Sequence, residues 1–133
     1  MSDLDLHPDL RAARAALILA AMDAGPLPGS IQCYNDPRPA PGATTTTQTL
    51  QVTIPLADPA AVQTGALLTF TPAEDGIRVD DKPITWCRFV DGNGQWVLDA
   101  RAGVAVEFPP VVISSAAGSV GALVRLSSGT LSD

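Results

Sequence analysis

The chain has 133 residues, 46% of them apolar and 17% charged, and its 8 Lys+Arg against 14 Asp+Glu give a formal charge of −6. That length and composition suit one domain with a real core and exclude wholesale disorder. With a single lysine (Lys82) and no two cations adjacent, nucleic acid is excluded as a partner, because phosphate contacts need clustered Lys and Arg.

The first predicted element is a helix over about 8–24. Pro8 suits a first helical turn, Gly25-Pro26 is a stop signal, and the residues between are rich in Ala, Leu and Arg. Leu6, Leu10, Ala13, Leu17 and Ala21 recur at helical spacing and are the expected core stripe. Ile18, Leu19 and Met22 then fall on the flank and far side, which makes them candidate contacts with a neighbouring subunit. The apolar run 15–22 is far short of the roughly 20 residues that cross a bilayer, so no membrane span is expected. Arg11 and Arg14 precede that run as in a secretory signal. Asp3, Asp5 and Asp9 make the leading segment acidic, however, and Asp23 stands where a small-residue cleavage motif belongs, so no signal peptide is expected either.

After Pro28 the texture becomes that of an all-β region, about 29–131, with short Val/Ile/Thr-rich runs between Gly, Pro, Asp and Asn. Strands are predicted near 30–35, 48–56, 66–71, 84–90, 95–99, 104–107, 111–114 and 121–127. A proline-rich loop (36–42, with Pro37 and Pro39) and a threonine tract (44–47, with Thr45 and Thr46) join the first two, and both are candidate assembly contacts. Prolines at 59, 72, 83, 109 and 110 are expected at strand boundaries, where a missing N–H does least harm.

The sharpest local signal is Asp91-Gly-Asn-Gly94 between two runs that each carry a tryptophan, Trp86 and Trp96, which reads as a tight hairpin turn. Ile84, Trp86, Arg88 and Val90 share one face of the strand before it, and Thr85, Cys87 and Phe89 the other. Apolar residues on both faces predict a central strand buried on two sides. Arg88 then needs a partner, and Asp75, Asp91 and Asp99 are the nearest carboxylates. The two tryptophans are expected to pack as a cross-strand core pair.

About eight strands after one helix imply a two-sheet sandwich or a small barrel. The reading adopted is one mainly β domain spanning 1–133, an antiparallel β-sandwich, jelly-roll-like or Ig-like, with an N-terminal helix.

Motifs for chemistry fail one by one. Asp91-Gly-Asn-Gly-Gln lacks the Gly and Glu of a calcium loop, Gly118-Ser-Val-Gly121 is not a nucleophile elbow, and the acidic pairs Glu74-Asp75 and Asp80-Asp81 sit in predicted loops. His7 is the only histidine, and Cys33 and Cys87 have no metal-ligand spacing. Buried free thiols are expected, with a disulfide between neighbouring strands as the alternative. No catalytic residue, metal site or cofactor is assigned, and an enzyme is not expected.

The order of features resembles a family of small tailed-bacteriophage virion proteins of the siphophage type. The matching pieces are the Arg/Ala/Leu helix 11–25, Ile31-Gln-Cys-Tyr34 with the proline loop 37–41, and Gly65-Ala-Leu-Leu-Thr-Phe70. They continue with the hairpin Trp86-Cys-Arg88-Phe-Val-Asp91-Gly-Asn-Gly94, the strand 121–127 and Thr130-Leu131. The glycine expected near Ala100 is displaced to Gly103. The resemblance implies a structural subunit of the particle, made in the host bacterial cytoplasm and localised to the virion. Its partners would be other virion proteins and copies of itself in a symmetric oligomer. A tail-tip, baseplate or fibre-attachment subunit is the first expectation and capsid decoration the second. A carbohydrate- or receptor-binding module that stacks ligands on Tyr34, Trp86 and Trp96 is more remote.

Overall fold

The computed structural model describes residues 7–45, 47–105 and 109–131. Among these residues one helix, α1 (Pro8–Met22), precedes nine strands: β1 (Ser30–Tyr34), β2 (Leu50–Thr64), β3 (Leu67–Pro72), β4 (Gly76–Ile77), β5 (Trp86–Val90), β6 (Trp96–Gly103), β7 (Val111–Ile113), β8 (Leu123–Val124) and β9 (Leu126–Leu131). The expected sandwich is not what forms. Seven strands close into one barrel in the order β1-β2-β3-β9-β7-β6-β5, and β4 and β8 make a separate two-stranded sheet. The barrel is mixed rather than antiparallel, because β6 and β7 run parallel at Ala102↔Val111 and Gly103↔Val112. Closure pairs strands that a sandwich would leave as edges, and so removes free edges from the wall.

Period-2 alternation fills the barrel. Ile31, Cys33, Val52, Ile54, Cys87 and Phe89 lie at matched register positions on β1, β2 and β5 and are fully buried. The rings of Phe70 and Phe89 meet at 4.7 Å and 56°, a tilted pair that joins β3 to β5. β2 runs straight through Pro55 and Pro59, both inside the strand, but its register against β3 shifts between Leu56 and Ala61. Such an irregularity bends a long strand around a barrel corner, so Pro59 marks a bend and not a strand end.

The hairpin at 91–94 forms as its sequence requires. Asp91 Oδ1 accepts from the N–H groups of Asn93 and Gln95, and Gly94 takes a φ of +79°, which suits glycine. Of the predicted strand 104–107, residues 104–105 are not strand and 106–107 lie outside the described residues.

α1 begins at His7, whose ring nitrogen accepts from the Asp9 N–H at 3.1 Å, so the only histidine serves as a cap. The helix is turned opposite to the expected stripe. Leu17 is 70% exposed and Leu10 and Ala13 also face out, whereas Met22 is completely buried and Ala15, Ile18 and Leu19 pack on the core. Leu6 lies outside the described residues. Both stripes have helical spacing, but the small side chain of Ala15 lets the helix approach the barrel while Met22 is completely buried against it. Two polar tethers fix the helix to β2: Ala60 N–H donates to Asp23 Oδ1 at 2.9 Å, and Gln63 Nε2 donates to the Ala12 carbonyl at 2.8 Å.

The helix touches β2, β3 and β6, while β4 runs along β2, where Val79 N–H donates to the Gln51 carbonyl, and forms with β8 a small sheet, the cap. Gly76 lies so close to β2 that a Cβ there would meet Val52 Cγ2 at 2.4 Å and the Thr53 carbonyl at 2.6 Å. Only glycine lets the cap settle that near.

Candidate functional site

Three places on this frame gather side chains with functional potential: a cluster on the outer wall, the cavity beneath the helix, and the cap.

The outer-wall cluster centres on Asp99. Arg88, directly across the β5–β6 ladder, grips this carboxylate through Nε at 2.8 Å and Nη2 at 3.2 Å. Gly42 N–H adds a bond at 3.2 Å and Trp96 Nε1 another at 3.1 Å. Burial pushes the Asp99 carboxyl upward, but the bonds from Arg88, Gly42 and Trp96 outweigh it and hold the carboxyl below its usual value. The hydrogen bonds to Asp99 in turn raise Arg88, against the opposing effect of burial. Tyr34 stacks on Trp86 with ring centroids 4.8 Å apart, and the Arg88 guanidinium lies 5.3 Å from the Trp86 ring centre.

This cluster clamps the proline-rich loop onto the barrel. Trp86 Nε1 donates to the Asn35 carbonyl at 2.8 Å, Thr85 Oγ1 bonds Asp36 at 2.7 Å, and the Gln48 amide donates to the Pro37 carbonyl. Gly42 (φ +73°) sits against the Trp96 ring, where a Cβ would meet Cε3 at 2.9 Å. β5 is therefore buried on both faces, as expected, but its outer cover is this loop and not a second sheet. Asp99 supplies the partner that Arg88 needs. The tryptophans do not pair with each other: Trp86 lies opposite Arg101 and Trp96 opposite Val90. Trp86 is buried while Trp96 is 47% exposed.

Beneath α1 lies a cavity of about 240 Å³ lined by Arg14, Ala15, Ile18, Leu68, Leu98 and Leu131, among others. Its walls are mainly apolar and continuous with the core.

The cap is built on Arg78, which is buried and aimed back at the barrel. Nη1 reaches Gln51 Oε1 (3.3 Å) and the carbonyls of Asp80 (3.1 Å) and Lys82 (3.0 Å), and Nη2 reaches the Ala116 carbonyl at 2.6 Å. One guanidinium thus ties β2, the 80–82 turn and the 114–118 loop. Gln51, also buried, donates to Asp80 Oδ2 at 2.8 Å. That bond and the one from Lys82 lower the Asp80 carboxyl. The outward side of the cap carries Ile77, Val79, Val120 and Leu123, each 58–65% exposed.

The sequence-based candidates scatter over this surface. Met22 is sealed inside and Ile18 and Leu19 are half-buried against the core, so this side of the helix faces the barrel and not a neighbour. Pro37 is exposed, Pro39 and Thr45 are half-buried, and Thr46 lies outside the described residues. Trp86, Arg88 and Trp96 belong to the Asp99 cluster, and Asp91 and Gly94 form the turn. Cys33 and Cys87 are opposite each other in the β1–β5 ladder and are free thiols. Burial pushes Cys33 up to about 12, despite the nearby charge of Arg78, and pushes Cys87 well above the ordinary thiol value. Sequence reading missed the cap altogether. Its signal was the alternation Gly76-Ile-Arg-Val-Asp80, which puts an arginine where a core residue belongs.

Among the described residues no helix is long and apolar enough to cross a membrane, and no group of three or more His, Cys, Asp and Glu is placed to hold a metal ion. Comparisons with protein-family models, with curated proteins and with solved structures found no match to this chain.

Proposed function

We propose that this chain is a non-enzymatic structural component of a tailed-bacteriophage particle, placed at the tail tip, baseplate or a fibre attachment. What carries the reading is the outward apolar face of the cap. A contiguous apolar patch on a water-facing surface is the mark of a site that another protein covers. The rest of the surface is consistent with a subunit packed among others: the described wall strands close on one another, and the proline-rich loop is pinned at several points. The order of sequence features described above points the same way.

The receptor-module alternative loses two of its three rings, since Tyr34 and Trp86 stack on each other and only Trp96 stays open. Mass spectrometry of purified parent virions, with this protein quantified against the major capsid protein, tests the proposal. A small symmetric number of copies per particle is the expected result. A ratio near unity would move the protein to the capsid surface, and absence from the particle would overturn the reading.

A further inference from the structure

The strand β4 and the two residues after it have their polarity reversed. A strand with one face on the core and the other in water turns apolar side chains inward and polar ones outward. Here Arg78 points in, and Ile77 and Val79 point out. Ile77 lies opposite Leu123 in the β4–β8 ladder, which places a second apolar side chain beside it. The backbone bonds Arg78 N–H to the Ala122 carbonyl and Gly121 N–H to the Arg78 carbonyl bring Val120 alongside Val79. The inward arginine meets four acceptors through Nη1 and Nη2, though its Nε is buried with no partner among the described residues, so the reversal belongs to the fold and is not a local slip.

We infer that this face docks an apolar strand or loop, flanked by Lys or Arg, on a different protein. The inference deepens the assembly reading and takes its biological occasion from it. Two quantities select the occupant. The four side chains expose roughly 400 Å² together, about half of the 800 Å² per partner that a stable protein interface buries, so apolar contact alone is not enough. The remainder must come from the charged rim, and that rim is acidic. Glu74, Asp75, Asp80 and Asp81 stand against Lys82 and Arg125. Lys82 is held by Asp80 at 3.1 Å and Arg125 lies 4.0 Å from Asp75, which leaves Glu74 and Asp81 without a cation among the described residues. A second copy of this face would bring like charge onto like, on a chain that already carries −6. A basic-flanked partner meets it with the opposite sign.

The test uses the full-length, isotope-labelled protein titrated with two blocked octapeptides, one alternating Val and Lys, the other Val and Glu. The Val/Lys peptide should shift the amide resonances of Ile77, Val79, Val120 and Leu123 and few others. Raising the salt should weaken that response severalfold, and the Val/Glu peptide should give severalfold smaller shifts. The Ile77→Thr/Leu123→Thr variant should lose the response. Should that variant melt early, Val79→Thr alone gives the same readout on an intact cap. Shifts centred elsewhere, or equal shifts with both peptides, would overturn the inference. So would concentration-dependent broadening of these resonances without peptide, which would identify a second copy as the occupant. None of these outcomes depends on where the protein is found, so absence from virions would remove the assembly reading and leave the docking result standing.

Discussion

Replacing Arg78 with Met keeps a long side chain in the cap but removes every donor that holds it. Four acceptors lose one donor: Gln51 Oε1 and the carbonyls of Asp80, Lys82 and Ala116. They do not lose equally. Gln51 Oε1 keeps the Lys82 N–H at 2.8 Å, and Asp80 and Lys82 lie at the surface, where water can replace the donor. The Ala116 carbonyl, at 2.6 Å from Nη2, has the shortest bond but keeps the Ile84 N–H at 2.8 Å. Counting the two carbonyls left without a protein donor, Asp80 and Lys82, at about 0.5–1.5 kcal/mol each, Arg78→Met should cost about 1–3 kcal/mol. At about 4 °C per kcal/mol for a domain of this size, the melting temperature should fall by about 4–12 °C. Arg78→Lys should recover little, because one ammonium cannot reach both Ala116 and the 80–82 turn as a planar fork does. Thermal melts followed by circular dichroism, with urea titrations for the free energy, provide the assay. A Met variant that melts within about 2 °C of the parent would refute the view that this side chain holds the cap down.

Three further outcomes follow from the same structure. Met22→Ala should cost about 2–5 kcal/mol in urea unfolding. Leu17→Ala should change stability by under about 0.5 kcal/mol, and the reverse order would mean that the helix sits the other way round. Cys33 and Cys87 should resist iodoacetamide in the folded protein at mildly alkaline pH and both react in denaturant; rapid labelling of the native protein would contradict their burial. The Asp99 carboxyl lies lower in the folded state than in the unfolded chain, so the stability it contributes is complete above the unfolded value of about 3.9 and is lost as the pH falls through the folded one. Melting temperature and Trp96 emission should both drop in that acid window, and Asp99→Asn should flatten its share of the profile. Identical slopes in parent and variant would count against the clamp.

Where the sequence was legible, the reason was local. The 91–94 turn needs residues that accept positive φ and a short acceptor at its start, and four consecutive residues supply both. Burial of β5 on two sides followed from apolar residues at successive positions, and that Arg88 needs a carboxylate followed from the same burial, with the β5–β6 register choosing Asp99 from the three candidates. What failed was set by long-range pairing. A sandwich and a barrel show the same alternation along each strand, and only the β6–β7 seam, between segments that look like any others, makes this a barrel. The helix offered two stripes of equal spacing, and the choice was made by the shape of the barrel under Ala15 and Met22. The cap was hidden because its polarity runs against the rule used to find strands.

The wall of the barrel is not uniform around its circumference. β3-β2-β1-β5-β6 is a continuous antiparallel sheet with five residue pairs at each joint, and β7–β9 is a narrow panel set into the gap. That panel is fastened by two pairs on each side: Ala102↔Val111 and Gly103↔Val112 to β6, Leu68↔Leu131 and Thr69↔Thr130 to β3. Mechanically it is a hatch on two short hinges, and tension along β9 loads those four pairs before it reaches the rest of the wall. The five-stranded sheet, held by α1 and by Arg78, is the part that keeps its shape under load.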